Sequence, residues 1–128
     1  LLLPLLLLVP GVIHLLPLSG VLGADALTRL YGLDFSEPNL EILMRHRAVL
    51  FGLLGALLVA AAIRPALRTV SLWAGFVSVL SFLALAWTVG DYGAAVRRVV
   101  TADWIALGCL GAAAALHWGR SRAVRSPD

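Results

Sequence analysis

The chain has 128 residues, 61% of them hydrophobic and 13% charged, about half the charged share of an ordinary soluble domain at roughly 25%. No separate water-soluble domain fits into such a composition. The formal charge of +3 comes from ten Arg, with no Lys, against seven acids. These Arg are scattered near the ends of apolar runs rather than clustered on a soluble face, which excludes a nucleic-acid partner.

Residues 1–18 form the first apolar run. It resembles the core of a signal peptide, but it continues through Val21 and Leu22 with no small-x-small cleavage site and no basic residues before it. It therefore reads as a membrane span. The chain opens on Leu rather than Met, and a few further residues are expected in front. Pro10 and Gly11 predict a kink, with His14 about one turn before the end of the span.

The stretch from Gly23 to Leu40 is too long for a tight turn. Asp25 can cap a short helix that shares Leu27, Leu30 and Tyr31 on one face and ends at Gly32. Such a helix would lie on the membrane surface. Ser36, Glu37, Pro38 and Asn39 then supply start signals for the next helix.

Three further runs follow, at residues 42–63, 70–90 and 101–119. A helix rises about 1.5 Å per residue and a bilayer core is about 30 Å thick, so about 20 apolar residues suffice for a crossing. Unpaired backbone groups are costly in lipid, so all four runs should be helical, with connections at the two surfaces. Trp73 and Trp87, and again Trp104 and Trp118, are fourteen residues apart, roughly 21 Å along a helix. These pairs would bracket the last two spans at the membrane interfaces.

Small residues let helices approach in lipid. Ala48, Gly52, Ala56 and Ala60 mark such a face on the second span, Ser71, Ala74, Ser78, Ser81 and Thr88 on the third, and Ala102, Gly108, Gly111, Ala112 and Ala115 on the fourth. The expected fold is an all-α membrane protein, a compact left-handed four-helix bundle over residues 1–119. Residues 120–128 read as a disordered basic tail drawn to anionic lipid. Arg64, Arg68 and the tail Arg face one side, and all acids but Asp128 the other. The positive-inside rule then places both termini in the cytoplasm of an inner (plasma) membrane protein, although Arg alone divide five against five.

Extending the small-residue faces brings ionisable groups together near the outer leaflet. Glu41 and Arg45 continue the second-span face, Asp91 the third, Asp103 opens the fourth, and His14 ends the first. Ionisable residues at membrane depth point to a functional site, so His14, Glu41, Arg45, His46, Asp91 and Asp103 are the candidate ligand-binding residues. The bland alternative is structural pairing, as of Glu41 with Arg45 at i, i+4. Arg47 reads as a snorkelling side chain, because Phe51, Leu54 and Leu58 on its side look lipid-facing. Arg97 and Arg98 read as headgroup contacts in an exposed link, and His117 as an interface residue.

His14 and His46 at matched depth would allow two axial ligands to one haem, a reading placed below the others. No metal site and no catalytic set is evident. Cys109 is the only cysteine and reads as a small buried filler.

The stretch from Gly11 to Gly55, with IleHisLeuLeuProLeu, LeuTyrGlyLeuAsp, GluProAsn and ArgHisArgAlaValLeuPheGlyLeuLeuGly, resembles small bacterial four-span membrane proteins of the DoxX-like and uncharacterised type. Some DoxX-like proteins are associated with quinone or thiol redox systems, and the lone Cys109 offers no thiol pair for the latter. Three functions are compatible with these readings. The first is a non-catalytic accessory subunit, partnered by other membrane subunits or by itself. The second is a protein that binds a quinone, isoprenoid or lipid headgroup at the ionisable cluster. The third is a proton-coupled transporter acting as an oligomer.

Overall fold

The computed structural model describes the backbone of residues 1–123 and the side chains as far as Arg120. It contains helices and no strand among the described residues: α1 (Leu2–Leu15), α2 (Ala24–Tyr31), α3 (Pro38–Ile63), α4 (Arg68–Val89) and α5 (Ala94–Ala123). A 3-10 segment, Leu16–Leu22, extends α1, and a second, Pro65–Leu67, joins α3 to α4. Four stretches are long and apolar enough to cross a membrane: Leu2–Leu22, Pro38–Ile63, Pro65–Val89 and Ala94–Arg120.

The four long elements pack in the cyclic order α1, α3, α4, α5. Neighbouring pairs touch along their length, and α1 lies diagonally across from α4. The α1–α3 contact is the closest, because two glycines face each other there. A β-carbon on Gly55 would come within 2.8 Å of the Gly11 carbonyl oxygen, and one on Gly11 within 2.9 Å of Val59. Leu18 over Gly52 and Gly20 beside Ala48 continue the antiparallel register. The core comprises Leu3 and Leu7 of α1, Leu58, Ala61 and Ala62 of α3, Leu72 and Val79 of α4, and Ala106, Leu110, Ala113 and Ala114 of α5.

The helix boundaries differ from the sequence expectation mainly in α5. It begins at Ala94 rather than near Thr101, so its link to α4 is only residues 90–93 and Arg97 and Arg98 lie within the helix, not in a link. Gly90 and Asp91, both at positive φ, make the reversal. Short, helix-favouring Ala94 and Ala95 can then start a new helix immediately. Residues 120–123, expected in the tail, belong to α5. α5 continues to Ala123, and residues 124–128 lie outside the described residues.

All three of the expected packing faces are corrected. On α5 the buried small residues are Ala106, Ala113 and Ala114, while Gly108, Gly111, Ala112 and Ala115 point outward. On α3 the face starts at Ala48 and Gly52 as expected but turns to Gly55, Leu58, Ala61 and Ala62, leaving Ala56 exposed. Steps of three and four alternate along a real 3.6-residue helix, so a strict four-residue stripe drifts off the contact face. On α4, Ser71 is buried, but Ser81 and Thr88 are exposed and return their hydroxyl protons to their own helix at Ser78 O, Ala84 O and Leu85 O.

α2 and the residues around it close one end of the bundle. Ala26 and Leu27 are buried, and Gly32 ends the helix in the left-handed conformation. Asp25 lies in its first turn, while the cap position is held by Gly23. At the opposite end, Trp73 and Trp118 meet with ring centroids 6.1 Å apart, and the Thr69 hydroxyl lies 3.0 Å from His117 Nε2.

Candidate ligand site under α2

α1 runs through Pro10 and delivers His14 to the middle of the bundle, where it is buried. Its Nδ1 lies 2.8 Å from the Pro10 carbonyl oxygen, which can only accept, so Nδ1 donates. Nε2 lies 3.3 Å from Ser78 Oγ on α4 and, in the neutral ring, accepts that hydroxyl proton. The contact crosses the bundle diagonal. Phe51 of α3 stacks on the imidazole at 5.5 Å and 21°.

α5 supplies Asp103. It is 5% exposed and, among the described residues, has no hydrogen bond or close ion pair. No buried polar side-chain atom among them is fully sealed without a partner, so the partnerless Asp103 oxygens keep some accessible surface, and Asp103 borders free space. That space is a cavity of about 220 Å³ between α1, α2 and α5, lined by His14 and Asp103 and otherwise mainly by apolar groups such as Ile13, Pro17, Leu30 and Val99. Arg98 also lines it.

Arg47 is the largest departure from the sequence reading. Its expected lipid-facing neighbours are inside: Leu58 is fully buried, and Phe51 and Leu54 half-buried. α3 packs on both α1 and α4, so its buried face is wide enough to include Arg47. Arg47 Nη1 donates to Tyr31 Oη at 2.8 Å, and the guanidinium lies 4.5 Å from the Phe51 ring centroid and 5.5 Å from that of Tyr31. Its charge acts on the Asp103 carboxylate. Arg47 thus ties α2 to α3 and supplies the cation nearest in effect to the buried acid.

Tyr31 is the common wall of three spaces. Beyond the first cavity lies a wider cleft of about 600 Å³ lined by Tyr31, Ala95, Arg98 and the 91–93 link. A third, of about 250 Å³, lies between Tyr31, Arg47, Phe82 and Val99. All three spaces lie at the end of the bundle covered by α2.

Of the six candidate residues, the structure brings two together, His14 and Asp103. Glu41 and Arg45 pair with each other at 3.2 Å, and Arg45 Nε donates to Val21 O at 2.9 Å, fastening α3 to the 3-10 segment. His46 is exposed and is not among the residues lining the His14 cavity, so the two rings do not face one another across it. Asp91 is exposed in the link and borders the wide cleft. Among the described residues no group of three His, Cys, Asp or Glu is placed to hold a metal ion.

The link before α3 is organised by its acids. Asp34 accepts from the Ser36 backbone N–H and hydroxyl, both at 2.9 Å, and the backbone bond first holds its carboxyl below the usual range. Glu37 caps α3, accepting from the N–H groups of Asn39 and Leu40 at 3.0 and 2.8 Å, which lower its pKa in that order.

The site residues missed by sequence reasoning are Tyr31 as a cavity wall, Arg47, and Arg98. Arg47 and Phe51 stand at i, i+4, a spacing that permits a cation–π contact. The Tyr31 contact joins residues sixteen apart through a tertiary fold and leaves no local signal. No protein-family model matches the chain, and no curated protein or solved structure matches it either.

Proposed function

We propose that this multi-pass membrane protein binds the head of a small membrane amphiphile, of the quinone, isoprenoid or lipid-headgroup class, in the cavity under α2. One observation carries the reading: Asp103, buried and without a bonded partner, opens on a cavity whose other walls are mostly apolar. Burying an unpaired carboxylate is costly, and groups retained at such cost cluster at functional sites. At about 220 Å³ the cavity is below the roughly 300–1,000 Å³ that encloses a whole drug-sized ligand, which suits a head group whose chain stays in lipid.

A thermal-shift titration of the purified protein with lipid extract tests this. A ligand bound only by the folded state raises the melting temperature by mass action. Ala102→Phe, which fills the cavity, should abolish the shift. An equal shift in Ala102→Phe and wild type refutes the reading.

The accessory-subunit role is the second reading, favoured by the outward small face of α5 at Gly108, Gly111, Ala112 and Ala115. Gly111→Leu with Ala115→Leu would then release a co-purifying protein without unfolding the chain. The DoxX-like resemblance, the plasma-membrane location and the cytoplasmic placement of both termini complete the proposal. Labelling of a cysteine placed at Ser36 in a Cys109→Ala background, with an impermeant reagent applied to intact cells, checks the orientation. Protection of that cysteine would reverse it.

A further inference from the structure

We infer that the group bound at Asp103 is the hydroxyl of an uncharged, membrane-dissolved molecule. This rests on the reading that the cavity holds an amphiphile's head, and it selects among the heads that could enter.

The selection follows from what the wall lacks. An ionised carboxylate only accepts hydrogen bonds, and Asp103 lines the cavity with no donor to either of its oxygens among the described residues. A carbonyl head, such as that of a quinone, would bring a second acceptor to an acceptor. An anionic head would meet the negative charge directly. A cationic head would supply a donor, but the Arg47 charge already acts on this one acid. A second cation among mainly apolar walls would be left uncompensated where charges are poorly screened.

A neutral hydroxyl meets every condition. It donates to Asp103, and its oxygen remains free to accept. Tyr31, another wall residue, accepts a hydrogen bond from Arg47 and keeps its own phenolic hydrogen to donate. Exposed Trp104, next to Asp103 on α5, suits a site at the depth of the aromatic belt. Isoprenoid alcohols, diacylglycerols and hydroquinones share this chemistry, and the test separates them.

The test is native mass spectrometry of the purified full chain in detergent, with matched pairs competing at equal concentration. The pairs are farnesol and farnesyl methyl ether, 1,2-dioctanoylglycerol and its methyl ether, and trimethylhydroquinone and trimethylbenzoquinone. In at least one pair the hydroxyl member should be retained about ten- to a hundredfold over its partner, the range expected for a hydrogen bond to a charged group. The pair with the strongest retention identifies the source. The preference should disappear in Asp103→Leu and persist in weakened form in Asp103→Asn, which keeps an acceptor and guards against misfolding of the first variant. Equal retention within every pair, or a preference undiminished in both variants, overturns the hydroxyl assignment while leaving amphiphile binding intact. Retention of no probe by the wild-type protein overturns both.

Discussion

Asp103 and His14 are both buried polar residues, but the structure treats them differently. His14 has partners at both nitrogens and an aromatic ring against its face, so it belongs to the packing as much as to the cavity. His14→Ala should cost about 2–4 kcal/mol of stability, as for other large-to-small core changes, measured by thermal unfolding in detergent. Asp103 has no such partners. Replacing it with Leu removes a buried carboxylate that has no hydrogen-bond donor and should leave the melting temperature unchanged or raise it, while ligand retention is lost. A clear fall in melting temperature for Asp103→Leu would mean that the carboxylate serves the fold. Glu37 makes a prediction in pH. Its pKa is depressed in the folded protein from an ordinary 4.5 by two backbone N–H donors. The cap is therefore at full strength above that ordinary value and is lost as pH falls through the lower folded value. Hydrogen exchange at Asn39 and Leu40 should rise over that acidic window in wild type and be high and pH-independent beyond the intrinsic rate in Glu37→Ala.

At the scale of elements, the α1–α3 contact and the α2 cover are the two features with sharp consequences. Gly55→Ala would drive a β-carbon into the Gly11 carbonyl and Leu15, and a backbone obstacle cannot move aside as a flexible side chain can. The expected cost is about 1–3 kcal/mol. Gly108→Ala meets nothing within 4 Å and should be neutral or stabilising by up to about 1 kcal/mol, because Ala is the better helix former. Paired melting curves of the two variants check the difference. Arg47→Leu removes both the Tyr31 hydrogen bond and the ring contacts, so backbone exchange in α2 should quicken while that in the middle of α4 does not. The sequence made helix number, order and the α2 face legible, because length and apolar periodicity report directly on them. It did not reveal which way α5 faces. Small residues lie all around that helix, and only the tertiary arrangement distinguishes Ala106, Ala113 and Ala114 from Gly108, Gly111 and Ala112. The start of α5 was obscured by Arg97 and Arg98, whose charges suggest a link but do not break a helix.

For the whole molecule, the two ends of the bundle differ in what lines them. At one end Trp73 and Trp118 meet ring to ring, and the α2 end holds the cavities around Tyr31. Of the candidate site, His14 and Asp103 were legible because a charge or imidazole at span depth stands out in an apolar sequence. Glu41 and Arg45 share that signal, yet here they pair with one another and tie down the 3-10 segment. Arg47 stayed hidden because its neighbours Phe51, Leu54 and Leu58 suit lipid and protein contacts equally well. The proposed role of the α2 end is to hold the head of an amphiphile through Asp103. Its most direct test is native mass spectrometry of the protein extracted gently from its own membrane, wild type beside Asp103→Leu. If Asp103 holds the head, the wild type carries a small-molecule adduct that is missing from the variant. An adduct of equal abundance on both, or a wild-type chain that carries only protein partners, would contradict it.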